Sequence, residues 1–273
     1  MTQPAASRLL VEAEEALGMP LFGRTQRGLV ALPAGAALVV RARRTLALLD
    51  GSREELNAIE SGALGLVRVG ASAVAAALLV PRAVASLRAE GTHVRVCIEE
   101  ASSGVALAGL RDGLFDCVIL RVLDSDDVTG LLGTPLYDEP AVVVARPGHP
   151  LLADGVADWH VAVAHEWVLP PLPAPLRRRF AGWLASQRMV APVCRFESVS
   201  VLANITVVRD SDALAFLPGD LARQYAALGL VAVVPITFPY HMPPVSLLQR
   251  VDDEGDPVLG AFRRALEAAQ SQG

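Results

Sequence analysis

The chain is 273 residues long and 52% hydrophobic, with a net charge of -5 at pH 7. That much apolar material excludes a disordered or fibrous chain, and the length suits one small unit and one medium unit, or two medium units. The acidic balance excludes a protein that coats nucleic acid over its whole surface, and leaves room only for a small, local DNA-reading element or for none.

In chain order, Pro4 to Leu17 reads as a helix. Ala6, Leu10, Ala13 and Leu17 form one apolar stripe at spacings of 4, 3 and 4, with Thr2 placed to cap the start and Gly18 to close the end. The run L-F-G-R-T-Q-R-G-L-V-A-L predicts two short strands around a polar turn. Pro33 is a natural first-turn residue for the next helix, from Ala34 to about Ile59. Along it Leu38, Ala42, Thr45, Leu49, Ser52, Leu56 and Ile59 alternate spacings of 4 and 3, a heptad seam suited to a partner helix. Packing on its own domain is the alternative. Gly51 inside this helix costs about 1 kcal/mol against alanine.

After Ser61, Gly62 and Gly65 the pattern becomes alternating strands and helices. Strands are expected at Leu66–Gly70, Val94–Glu99, Asp116–Val122 and Val142–Arg146, with helices at Ala75–Ala89 and Val105–Arg111. The βαβαβ order of the first three strands and the two helices implies a parallel, doubly wound sheet. A second unit of the same kind follows. Its strands are Trp167–Leu169, Val193–Phe196, Ala213–Leu217 and Val231–Val234, and its helices Pro175–Gln187, Val199–Arg209 and Leu221–Leu228. A last strand, Val245–Arg250, and a helix, Pro257–Ala269, close the chain.

Cys97, Cys117 and Cys194 are widely spaced, with no C-x-x-C and no histidine at metal-ligand spacing, so neither a disulfide framework nor a metal site is expected. Cys97 and Cys117 sit in apolar runs as small hydrophobes, and a reducing cytoplasm fits. No signal peptide and no membrane span is expected. The chain holds no G-x-S-x-G, Walker or G-x-G-x-x-G motif. An enzyme of doubly wound fold therefore has no visible catalytic set, and no cofactor is expected.

The stretches T-Q-P-A-A-S-R, E-A-E-E-A-L-G-M-P-L-F-G-R and P-A-G-A-A-L, in this order, resemble the end of a LysR-type helix-turn-helix. The resemblance implies a recognition helix, a wing and the start of a linker helix. The remaining length fits that family's effector domain, two α/β lobes of periplasmic-binding-protein type joined by crossing strands. The implied organisation is a partial winged helix-turn-helix over 1–33, a linker helix over 34–62 and an effector domain over 63–273. Lobe 1 would take about 66–138 and 245–273, and lobe 2 about 141–240, with crossings near Asp138 to Ala141 and His241 to Val245.

Two departures stand out. The family places two helices before the recognition helix, and this sequence starts where that helix starts; the chain as written is expected to bind operator DNA poorly. Leu32 stands where the family carries a threonine cap, a loss worth roughly 1 kcal/mol.

The resemblance implies DNA contacts from Gln3, Pro4, Ser7 and Arg8 on the recognition helix and from Arg24 and Arg27 at the wing. A solvated helix face and ordinary surface arginines are the alternative. In doubly wound sheets ligands bind at the carboxyl ends of strands. Those ends carry Ser72, Ala73, Ser102, Ser103, Arg121, Ser198, Ser200, Pro218 and Gly219, and the family's effector pocket falls at the same places. The serines serve equally as helix caps, and Arg121 as an edge residue reaching solvent. Implied partners are promoter DNA, a small organic effector of anionic character and further copies of the chain as a homodimer or homotetramer, with no membrane. A cytoplasmic small-molecule-binding module without DNA binding is the rival.

Overall fold

The computed structural model describes residues 3–25, 28–60, 62–123, 126–153, 158–172, 174–237 and 242–270. Helix α1 (Gln3–Leu17) ends at Gly18, whose φ of +67° is the left-handed closure that glycine allows. Thr2 lies outside the described residues. Strands β1 (Phe22–Thr25) and β2 (Gly28–Ala31) pair antiparallel. Glu14 ties α1 to them: its Oε1 accepts from the amides of Leu21 and Phe22 at 2.7 and 3.0 Å, and these bonds hold its carboxyl below the usual range.

Helix α2 (Pro33–Glu60) starts at Leu32 with the ordinary first backbone bond, Ala36 N to Leu32 O at 2.8 Å, and a leucine side chain supplies no oxygen to cap the first-turn amides. Gly35 explains the P-A-G run, because a Cβ there would overlap the Leu21 carbonyl. Gly51 has a similar reason. It lies under the Arg68 guanidinium, where a Cβ would collide with the side chain that Asp116 holds. The helix thus touches its own chain at Gly51, while Leu49 and Leu56 on the seam remain 63% and 66% exposed.

Beyond α2 stand two mixed five-stranded sheets. The first runs β4-β3-β5-β12-β6, from β3 (Gly65–Ala71), β4 (Val94–Glu100), β5 (Cys117–Arg121), β6 (Leu131–Tyr137) and β12 (Val245–Arg250). The second runs β11-β7-β10-β8-β9, from β7 (Ala141–Ala145), β8 (Trp167–Leu169), β9 (Phe196–Glu197), β10 (Leu214–Pro218) and β11 (Ala232–Val233).

The expected parallel βαβαβ unit is present as β3, β4 and β5, and each sheet also carries antiparallel strands. In each lobe three strands are parallel, but β12 is antiparallel to β5 and β6, and β7 to β10 and β11. The antiparallel strands are the ones that adjoin the crossings. The chain leaves the first sheet after Tyr137 and enters the second at Ala141; it leaves the second after Val233 and re-enters the first at Val245.

Period-2 alternation builds each core. On the first sheet Cys117, Ile119 and Leu247 face the helix α9 (Pro257–Gln270) and the segment after β3, whereas Val118, Leu120 and Leu248 face α4 (Ser103–Arg111). On the second, Val143, Trp167 and Phe216 face α5 (Trp159–Ala162) and α6 (Pro175–Ser186). Val144, Val168 and Ala215 face α7 (Val201–Arg209) and α8 (Gly219–Ala227).

Several expectations shift. The helix after β3 opens with a π turn, Ala75–Leu79, before α3 (Val80–Ala89), and Val80 N reaches back to Ala75 O. Pro81 has no N–H and its ring crowds the carbonyl four residues back, so the ladder widens just before it. Strand β6 was not expected, since Gly133 and Pro135 interrupt L-L-G-T-P-L-Y; as an edge strand it tolerates proline. Strand β9 is confined to Phe196–Glu197, and Val193 lies outside its ladder. Cys117 is buried as expected, but Cys97 is exposed on the edge strand β4. Among the described residues no helix is long and apolar enough to cross a membrane, and no group of three His, Cys, Asp or Glu is set to hold a metal.

Candidate functional site

Residues of both sheets line a cleft of about 290 Å³ between the lobes. The parallel strands deliver their carboxyl ends to it: Ser72 and Ala73 follow β3, Arg121 ends β5, Pro170 follows β8, Ser198 follows β9 and Pro218 ends β10. The crossings add Glu139, Pro140 and Met242, and α7 adds Val201 and Asn204. Most of the wall is apolar, including Val74, Leu176, Phe216 and Val245.

Five expected residues, Ser72, Ala73, Arg121, Ser198 and Pro218, come together in this lining. Four stand apart from it. Ser102 and Ser103 begin α4 beside the edge strand. Ser200 turns its Oγ to the amide of Ala203 at 3.4 Å as a helix cap. Gly219 donates to Pro140 O at 2.9 Å and packs on that proline.

Arg121 does not reach solvent from an edge, because β5 is the central strand of its sheet. Its Nη2 donates to Glu139 O at 2.7 Å and its Nη1 to Pro243 O, so one side chain holds both crossings. Burial lowers its pKa, and the Glu139 carboxylate opposes that shift.

Sequence reasoning missed Glu139 and Asn204, which are only 2% and 7% exposed. Glu139 Oε1 accepts from Asp220 N at 2.9 Å, at the first turn of α8. Burial pushes the Glu139 carboxyl above its ordinary value. Three polar atoms of the lining are buried without a hydrogen-bond partner: Ser72 Oγ, Glu139 Oε2 and Asn204 Oδ1. Such groups cost free energy unless a water, an ion or a ligand satisfies them.

At the other end of the chain, Ser7 and Arg8 are exposed on α1, and Gln3 and Pro4 lie in its first turn. Arg24 lies on β1 opposite Leu29. Arg27 lies outside the described residues.

Two α/β lobes that close on a largely apolar cleft with a few buried polar groups, carried behind a strand hairpin and a long helix, define a small-molecule-binding unit attached to a wing and linker. The family model described as "LysR substrate binding domain" matches residues 60–271. The chain is 29% identical over 273 residues to the HTH-type transcriptional regulator GbpR of Azospirillum brasilense, covering 98% of this chain and 79% of that protein. It is 31% identical over 250 residues to the HTH-type transcriptional regulator GalR of Pseudomonas putida, covering 92% of this chain and 63% of that one. Among solved structures, the LysR family transcriptional regulator CbnR superposes with a TM-score of 0.66 at 18% identity, over 99% of this chain and 90% of that chain. The chain belongs to the LysR family of transcriptional regulators.

Proposed function

We propose that the protein controls transcription by binding a small effector in the cleft between its lobes, and that Ser72, Ala73, Arg121, Ser198 and Pro218, with Glu139 and Asn204, form the effector site. The observation that carries this reading is the set of three buried, unpartnered polar atoms in an otherwise apolar lining. The effector favours one arrangement of the lobes by its differential affinity for it, and the change passes to DNA through α2 and the wing. On DNA, the contacts would come from Gln3, Pro4, Ser7, Arg8, Arg24 and Arg27. We read the site as one that binds an effector rather than one that catalyses, in keeping with a family of transcriptional regulators. Such a regulator works in the cytoplasm, where its DNA is.

The test is to fill the cleft. Screening the chain by thermal shift against a library of small metabolites should give compounds that raise the melting temperature. Ala73→Trp, whose side chain occupies the cleft, should abolish the rise. Compounds that stabilise Ala73→Trp as well as the parent bind elsewhere, and would sink the reading.

Self-association belongs to the same proposal. The exposed Leu49 and Leu56 lie on one heptad seam of α2, which suits a second copy of that helix. The mass in solution at micromolar concentration should be that of a dimer or tetramer, and a strict monomer would overturn it.

A further inference from the structure

The charge and hydrogen-bonding pattern of the cleft says what kind of molecule it takes, given that the cleft is the effector site. We infer that the effector is a neutral, hydroxyl-rich small molecule that donates O–H bonds to Glu139 Oε2 and Asn204 Oδ1.

Three observations lead there. Charge comes first. Arg121 and Glu139 are the described ionic residues of the lining, and they are neighbours: the Arg121 guanidinium donates to the Glu139 carbonyl at 2.7 Å. A small anion would meet an arginine already bonded to two carbonyls and a carboxylate beside it. A cation would meet that arginine. A neutral ligand is opposed by neither.

The unmet groups come second. Glu139 Oε2 and Asn204 Oδ1 are acceptors, on side chains more than nine-tenths buried. They call for donors, and a carboxylate ligand has none to give. A hydroxyl donates and accepts. It therefore also serves Ser72 Oγ, and it serves the Asn204 amide in either rotation of that group.

Size and walls come third. A cleft of about 290 Å³ is at the small end for ligand sites, room for a molecule of monosaccharide size. Phe216, Leu176 and Val201 give its C–H faces an apolar surface.

The experiment titrates the full chain with two sets of probes by calorimetry and thermal shift. One set is neutral and hydroxylated: D-xylose, L-arabinose, D-glucose, D-galactose and myo-inositol. The other is anionic and lacks hydroxyls: benzoate, succinate and glutarate. At least one neutral probe should bind. Asn204→Leu should weaken it by about tenfold or more, and Ser72→Ala several-fold. Because Ser72 Oγ and Asn204 Oδ1 have no partner in the free protein, Ser72→Ala should not lower the melting temperature without ligand, and Asn204→Leu should lose no bond made by Oδ1. Binding of the anionic set alone, sensitive to Ala73→Trp, would overturn this inference and leave the cleft reading standing. So would neutral binding unchanged in both Asn204→Leu and Ser72→Ala. Silence from both sets would count against the inference, and a metabolite-library screen with no hits would count against the cleft itself.

Discussion

Trp167→Ala is expected to lower stability by about 3–5 kcal/mol, the range for deleting a large buried aromatic. The Trp167 ring is fully buried, and its centroid lies 4.9 Å from that of Phe216 and 5.2 Å from that of Phe180. Its Nε1 donates to Ala162 O at 2.9 Å, so the substitution also removes one of that carbonyl's two donors and leaves it only the longer bond from His165 N at 3.3 Å. At roughly 2–4 °C per kcal/mol for a chain of this size class, the melting temperature should fall by about 6–20 °C. The chain carries three tryptophans, Trp159, Trp167 and Trp183, all in the second lobe. The remaining two therefore report that lobe alone by fluorescence, while circular dichroism reports both. In the variant the fluorescence transition should come first. Val161→Ala, at an exposed position on α5, should move it by less than about 0.5 kcal/mol. A loss under about 1 kcal/mol at Trp167 would show that this aromatic cluster does not hold the lobe together.

The core around Trp167 was legible in the sequence because its strands are short apolar runs bounded by loop residues. Periodicity gave Trp167–Leu169 without error. It could not give strand direction, which depends on where the chain crosses between lobes. The antiparallel β7 and β12 read the same as parallel strands in a sequence, since both are buried on both faces. Strand β6 was hidden for another reason: its glycine and proline are turn signals, and only its edge position makes them harmless.

The candidate site divides in the same way. Ser72, Arg121, Ser198 and Pro218 follow from the rule that strand ends carry ligands. Glu139 sits in a D-E-P run that reads as a solvated turn, and its burial depends on α8 and the crossing closing over it. Asn204 did leave a trace. It falls with Val201, Ile205 and Val208 on one face of a helix, and a polar residue on a buried face needs a reason. Gly35 and Gly51 read as a motif letter and a helix penalty; only contacts from distant residues, Leu21 and Arg68, explain them.

Arg121→Ala should cost about 2–4 kcal/mol of stability in the absence of any ligand. The estimate rests on two hydrogen bonds from a charged donor, each worth about 1.5–3 kcal/mol, reduced because the side chain is only partly buried. Both bonds hold crossings: Glu139 O belongs to the first and Pro243 O to the second. Losing them frees the two connections that set how one lobe sits on the other. The Glu139 carboxylate also loses its neighbouring cation, which raises the cost of keeping it charged and buried. Arg121→Lys keeps the charge but cannot spread two donors in a fixed fork, so it should recover part of the loss and not all of it. Urea unfolding of the ligand-free protein measures the effect, and small-angle scattering measures whether the lobes spread. The opposite pattern is equally readable. If Arg121→Ala unfolds like the parent and scatters like it, yet no longer responds to effector, then Arg121 is a ligand contact and not the tie between the crossings.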